Sequence, residues 1–187
     1  MHIYLIRHTT PDIELDHCYG QSDIDVKDSF NDEVSRIKNI LPELNSVQVF
    51  SSPLQRCHKL ANALQIGKVQ TDNRRKEINF GEWELKKWKD IAKEEFDFWI
   101  EDFVNRRAAD GECYRDVSKR MVGFLNDAIK MDYENIVIVS HGGSLRTLFA
   151  HISEAPLKNL FRINIDFGSV SRLSYENNKF KIDFINR

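Results

Sequence analysis

The sequence predicts an α/β protein: a three-layer α/β/α sandwich with a mostly parallel sheet and an antiparallel C-terminal edge. Three observations predict it. Short apolar, β-branched runs alternate with stretches of helical periodicity, the pattern of βαβ units with helices on both faces of a sheet. Each run stops at a charged or turn-forming group. The last two segments flank a short polar turn, as the strands of a hairpin do.

Taken in order, residues 2–6 form a brief apolar run ending at Arg7 and His8, which reads as a buried strand. Residues 30–44 set Phe30, Val34, Ile37 and Leu41 at helical spacing. Residues 47–51 (VQVFS) read as a second strand. Residues 54–64 read as a helix whose first turn suits the preceding Pro53. Residues 80–103 are rich in tryptophan and charge and read as a loop followed by a helix that caps something. Residues 114–131 put Val117, Met121, Leu125 and Ala128 on one helical face. Residues 136–140 (IVIVS) are the clearest strand, β-branched up to Ser140 and followed by His141-Gly142-Gly143. Segments 169–175 and 179–185 flank Glu176-Asn177-Asn178 and read as the hairpin.

A chain of 187 residues with 41% hydrophobic residues is read as one domain over 1–187, with 80–112 as a lid or insert. Its net charge is only -2, so it lacks the electrostatic footprint of a nucleic-acid binder. An anionic small molecule would have to be held by a local arginine cluster. No run approaches the roughly 18 apolar residues that span a bilayer. The opening apolar run is too short for a secretory signal, so no membrane association is expected. Cys18, Cys57 and Cys113 are an odd set without CxxC spacing and read as free thiols of a cytoplasmic protein. The exposed edge of the C-terminal hairpin leaves a homodimer open.

Ligands of open α/β sheets bind beyond the carboxyl ends of the strands. The first strand ends at Arg7 and His8, the second shortly before Arg56, and the IVIVS strand at His141. Parallel pairing of the three would bring two histidines and two arginines to one rim. That set suits a phosphoryl group: arginine's planar fork matches phosphate oxygens, and a histidine nitrogen can attack phosphorus. Gly142 and Gly143, opening the next helix, offer backbone N–H groups to an anion. The leaving oxygen needs a proton, and Glu77 and Glu82, either side of Asn79-Phe80-Gly81, are both candidates. A carboxylic acid in that role needs a raised pKa, which partial burial and a nearby phosphate provide. No HExxH, Walker A, EF-hand or GxGxxG pattern occurs, and His2, His17, His58 and His151 have no metal-ligand spacing. No metal or cofactor is expected. Trp83, Trp88 and Trp99 are read as packing, with a lid that stacks on a nucleobase-like ring as the alternative.

Four segments, in order, carry a resemblance that covers nearly the whole chain. They are Leu5-Ile6-Arg7-His8-Thr9, Phe50-Ser51-Ser52-Pro53-Leu54-Gln55-Arg56-Cys57, Glu77-Ile78-Asn79-Phe80-Gly81-Glu82-Trp83-Glu84 and Val139-Ser140-His141-Gly142-Gly143. Together they resemble the histidine phosphatase, or phosphoglycerate mutase-like, superfamily. The resemblance implies that His8 is the phosphorylated nucleophile, and that Arg7, Arg56 and His141 bind the phosphoryl oxygens. It makes Glu77 the proton donor, with Glu82 second. Hydrolysis would pass through a phosphohistidine and need no metal. Cys18-Tyr19-Gly20-Gln21-Ser22-Asp23 and Gly111-Glu112-Cys113-Tyr114 are similar to α-ribazole-5′-phosphate phosphatases of cobalamin assembly. That subgroup reading places Gln21 near the phosphate.

Three positions depart from the family pattern. Thr9 stands where glycine usually follows Arg-His, Glu14 where a polar residue, often Asn, is expected, and Leu85 where Trp-Glu-Gly ends in glycine. The alternatives are a broad-specificity phosphatase of small molecules, a phosphoglycerate mutase, and a catalytically silent phosphate-binding module of the same fold.

Overall fold

A computed structural model describes residues 1–187. Six strands, β1 (His2–Arg7), β2 (Val47–Ser51), β3 (Val69–Thr71), β4 (Asn135–Ser140), β5 (Val170–Glu176) and β6 (Lys179–Phe184), form one sheet in the order β3-β2-β4-β1-β5-β6. The first four are parallel; β5 runs antiparallel to β1, and β6 antiparallel to β5. The sheet is thus mostly parallel with an antiparallel C-terminal edge, as the sequence predicts.

The strands alternate their side chains between two cores. Ile3, Leu5, Ile136 and Ile138 pack against α4 (Tyr114–Ala128) and α5 (Gly142–Ile152). Tyr4, Ile6, Val137 and Val139 pack against α1 (Phe30–Ile40) and α2 (Gln55–Leu64). Every residue of β4 is buried, which explains why IVIVS reads as a continuous apolar run without polar alternation.

The helix ends differ from the periodicity for local reasons. α1 stops at Ile40 because Leu41 precedes Pro42, whose ring drives Leu41 to extended backbone (ψ 132°). α2 begins at Gln55 with Leu54 extended before it, so Pro53 lies outside the first turn. α4 ends at Ala128, ahead of the predicted 131. β3 has no apolar signature because it is a three-residue edge strand with two exposed residues. The β5–β6 turn is Asn177-Asn178, with φ of 50° and 61°, the double left-handed geometry that matches strand twist.

Between β3 and α4 the chain crosses the site end of the sheet. This stretch carries short 3-10 turns at Gly81–Trp83 and Trp88–Asp90, then α3 (Lys93–Glu101). Phe80, Trp83 and Trp99 are buried in the same core as α4 and α5, with Phe80–Trp88 and Trp83–Trp99 in edge-to-face contact at 5.3 and 5.8 Å. Segment 80–112 is therefore a packed wall. No helix is long and apolar enough to cross a membrane.

Candidate active site

β1 and β4 are paired in register up to Arg7 and Ser140, so the next residues, His8 and His141, leave the sheet side by side. Their rings meet edge-on at 5.1 Å, and both are buried. The Nδ1 of His8 lies 2.7 Å from the Thr9 carbonyl. A carbonyl can only accept, so Nδ1 carries the proton and Nε2 keeps its lone pair. Burial, then the positive charges of Arg56 and Arg7, hold the His8 pKa well below its usual value. His8 is a neutral imidazole with a bare Nε2, the form a nucleophile requires. Thr9 does not sit in left-handed backbone, so the missing glycine costs no strain there; its carbonyl sets the His8 tautomer.

His141 is held from the other side. Its Nε2 lies 2.8 Å from the Ser52 hydroxyl and 3.4 Å from the Cys57 thiol. Burial, then Arg56 and His8, lower its pKa as well.

The arginines are anchored by backbone carbonyls. Arg56, wholly buried at the start of α2, donates to Ser22 O at 2.8 Å and Gly20 O at 2.7 Å. Arg7 donates to Ile165 O at 2.6 Å, and its guanidinium lies 3.6 Å over the Phe167 ring. The Nε atoms of both arginines are buried and bond to no protein atom. A buried N–H without a partner is costly, and these two, beside two histidines, are free to donate to an oxyanion.

Glu77 caps α5. Its carboxylate accepts from the backbone N–H of Gly143 (2.9 Å), Ser144 (3.0 Å) and Ile78 (3.0 Å). The approach favours glycine at 143, where a Cβ would stand 2.6 Å from the Glu77 Oε1; a Cβ on Gly142 would make a tight contact, 3.2 Å from the Arg7 Cζ. Gly143 N–H, expected to face phosphate, is therefore committed to Glu77, whereas Gly142 packs directly on Arg7.

Gln21 and Glu82 depart from the sequence reading. The Gln21 side-chain NH2 donates to Glu77 O at 2.9 Å and the Glu112 carboxylate at 3.3 Å, behind the site. Glu82 is exposed in the Gly81–Trp83 turn and lines neither cavity at Glu77. Of the two candidate acids, only Glu77 borders the site. Glu14 points outward to Lys87 Nζ at 2.9 Å, so its charge sits at the surface.

Two cavities open beside Glu77 and Arg7, of about 270 and 300 Å³. The first is walled by Phe80, Trp88, Phe96, Trp99 and Phe161, with Arg7, Glu77 and Arg146 as its charged groups. Arg146 donates through Nε to Ile163 O and forms no ion pair. Sequence reasoning missed Ser52, Cys57, Arg146 and Phe167. Ser52 and Cys57 lay inside the segment quoted for Arg56, and Arg146 follows Gly142 by one helical turn. Phe167 comes from an irregular loop and carries no signal.

Residues 3–187 match the model of the histidine phosphatase superfamily (branch 1). A Hydrogenobacter thermophilus protein named "Putative phosphoserine phosphatase 2" is 29% identical over 145 residues, covering 74% of this chain and 71% of that protein. The Escherichia coli adenosylcobalamin/alpha-ribazole phosphatase is 25% identical over 188 residues, covering 96% and 92%. The structure of the alpha-ribazole phosphatase from Shigella flexneri superposes with a TM-score of 0.91 at 22% identity, over 100% of this chain and 96% of that one. This last likeness establishes the fold.

Proposed function

The chain belongs to the histidine phosphatase superfamily, and from that premise we propose that it hydrolyses small phosphomonoesters through a phosphohistidine on His8, without a metal. The observation that carries the reading is the neutral, Nδ1-protonated His8 between two arginines whose buried Nε–H groups have no protein acceptor. In the proposed reaction His8 Nε2 attacks phosphorus, and the P–O bond to the leaving group breaks. Arg7, Arg56, His141 and Gly142 take up the charge on the equatorial oxygens. Glu77, at the mouth of both cavities, gives its proton to the departing oxygen. Water, deprotonated by the same carboxylate, then cleaves the phosphohistidine and regenerates both groups.

For the substrate, the aromatic wall of the cavity beside Glu77 suits a flat leaving group, and α-ribazole 5′-phosphate is the reading we favour. The full-length similarity to the E. coli adenosylcobalamin/alpha-ribazole phosphatase supports it. One observation favours a second reading: Arg146 lines that cavity and forms no ion pair, which suits an acid-bearing leaving group such as that of phosphoserine. Initial rates on α-ribazole 5′-phosphate, phosphoserine and 3-phosphoglycerate, measured in EDTA, separate them. The favoured reading expects the highest kcat/KM on α-ribazole 5′-phosphate; a preference for phosphoserine that Arg146→Gln removes establishes the second. Interconversion of phosphoglycerates faster than phosphate release would replace both with a mutase.

A further inference from the structure

Arg120 lies on α4, outside both cavities, and every N–H of its guanidinium is used. Nε and one Nη donate to the two oxygens of Glu112, both at 2.9 Å, a bidentate pair. The remaining donors go to three carbonyls in the segment that leads into Glu77: Arg74 O at 2.8 Å, Lys76 O at 2.5 Å and Glu77 O at 2.8 Å. Glu112 continues past that point, accepting from the Asn79 N–H at 3.0 Å. Gln21 closes the arrangement by donating to Glu77 O and to Glu112. The stretch from Lys76 to Asn79 contains no helix or strand, so these bonds replace the ladder that would otherwise fix it.

We propose that Arg120, Glu112 and Gln21 are positioning residues for the proton donor: they grip the backbone on both sides of Glu77 so that its carboxyl meets the leaving oxygen. The inference rests on the phosphatase reading of Glu77. Its geometry separates two jobs. The carboxyl group of Glu77 faces the first turn of α5, while its carbonyl faces the clamp. Arg120, Glu112 and Gln21 bond to none of His8, His141, Arg7 and Arg56, so loosening the clamp displaces the acid while the contacts of those four side chains stay in place. A displacement near 1 Å at a reacting group costs about 10²-fold in rate.

The test compares two esters that differ in their need for a proton. A 2,4-dinitrophenolate leaves unprotonated; the alkoxide of β-glycerophosphate does not. We measure kcat/KM, which reports the step that breaks the ester, for wild type, Arg120→Lys, Arg120→Ala and Glu112→Gln, with melting temperatures alongside. The expected result is a fall of about 30- to 100-fold on β-glycerophosphate for Arg120→Ala. The fall on dinitrophenyl phosphate should stay under about threefold, with partial recovery in Arg120→Lys. Should Arg120→Ala fail to fold, the milder Glu112→Gln must show the same selective loss. Equal losses on both esters, or none on either, overturn the clamp while leaving the phosphatase reading intact. Absence of turnover by the wild type on both esters overturns the two together.

Discussion

Replacing Glu77 by Gln changes one oxygen to an NH2 and gives a two-part expectation. The carboxylate accepts from Gly143 on one oxygen, and from Ser144 and Ile78 on the other. Glutamine keeps the second set and turns a donor toward the Gly143 N–H. One lost acceptor and one unsatisfied donor cost about 1–3 kcal/mol of stability, short of unfolding the chain. The catalytic cost is separate. A general acid contributes about 10²–10⁴-fold, equivalent to about 3–5 kcal/mol of transition-state stabilisation. In kcat/KM, which reports ester cleavage and not the later hydrolysis, the loss should appear in full on an alkyl phosphate and shrink below about tenfold on 2,4-dinitrophenyl phosphate, whose leaving group needs no proton. Urea unfolding gives the stability change, and initial-rate assays on the two esters give the catalytic one. A uniform loss on both esters would refute the assignment of Glu77 as acid, and no loss on either would remove it from the reaction.

Three more outcomes follow from the same geometry. His8 and His141 titrate well below 6.5 when folded and near 6.5 when unfolded, so below pH 6.5 the unfolded chain binds more protons. Stability should therefore fall as pH drops from 6.5, by at most about 1.4 kcal/mol per pH unit for each histidine. His8→Asn should halve that slope in urea titrations at pH 7 and 5.5; a flat profile in the wild type would contradict the shifts. Leu85 is 57% exposed with φ of 68°, in the left-handed region that costs a side-chain-bearing residue about 1–2 kcal/mol. Leu85→Gly should raise stability by up to about 1 kcal/mol after the extra unfolded-chain entropy is counted, read as a higher melting temperature. Gly143→Ala puts a Cβ 2.6 Å from Glu77 Oε1 and 2.9 Å from the Tyr114 hydroxyl, and should lower kcat/KM on alkyl phosphates by about 10²-fold. Wild-type rates in that variant would mean the acid tolerates displacement.

Much of this molecule is legible in its sequence because its site hangs on strand ends. IVIVS and the run before Arg7 announce buried parallel strands, and parallel pairing alone carries His8 and His141 to one rim. β3 is not legible: two of its three residues are exposed, so no apolar pattern forms. Glu77 and Glu82 could not be separated by spacing, because the choice depends on which one the N-terminus of α5 captures. The resemblance places Gln21 near the phosphate, yet its side chain bonds to the Glu77 carbonyl and the Glu112 carboxylate behind Glu77. Those partners lie 56 and 91 residues away in sequence, distances no local pattern spans. The Thr9 departure proved harmless for a reason only backbone geometry shows, whereas the Leu85 departure leaves a leucine in glycine's conformation.

The proposed hydrolysis turns on covalent phosphorylation of His8 Nε2. Rapid quenching of the wild type with a ³²P-labelled phosphomonoester, followed by peptide mapping, tests it most directly. Label should appear on the peptide holding His8, stable in alkali and lost in acid, absent from His8→Ala, and accumulating in Glu77→Gln when a dinitrophenyl ester loads the enzyme. Phosphate release at the wild-type rate by His8→Ala, or label that survives acid on a serine or threonine, would contradict it.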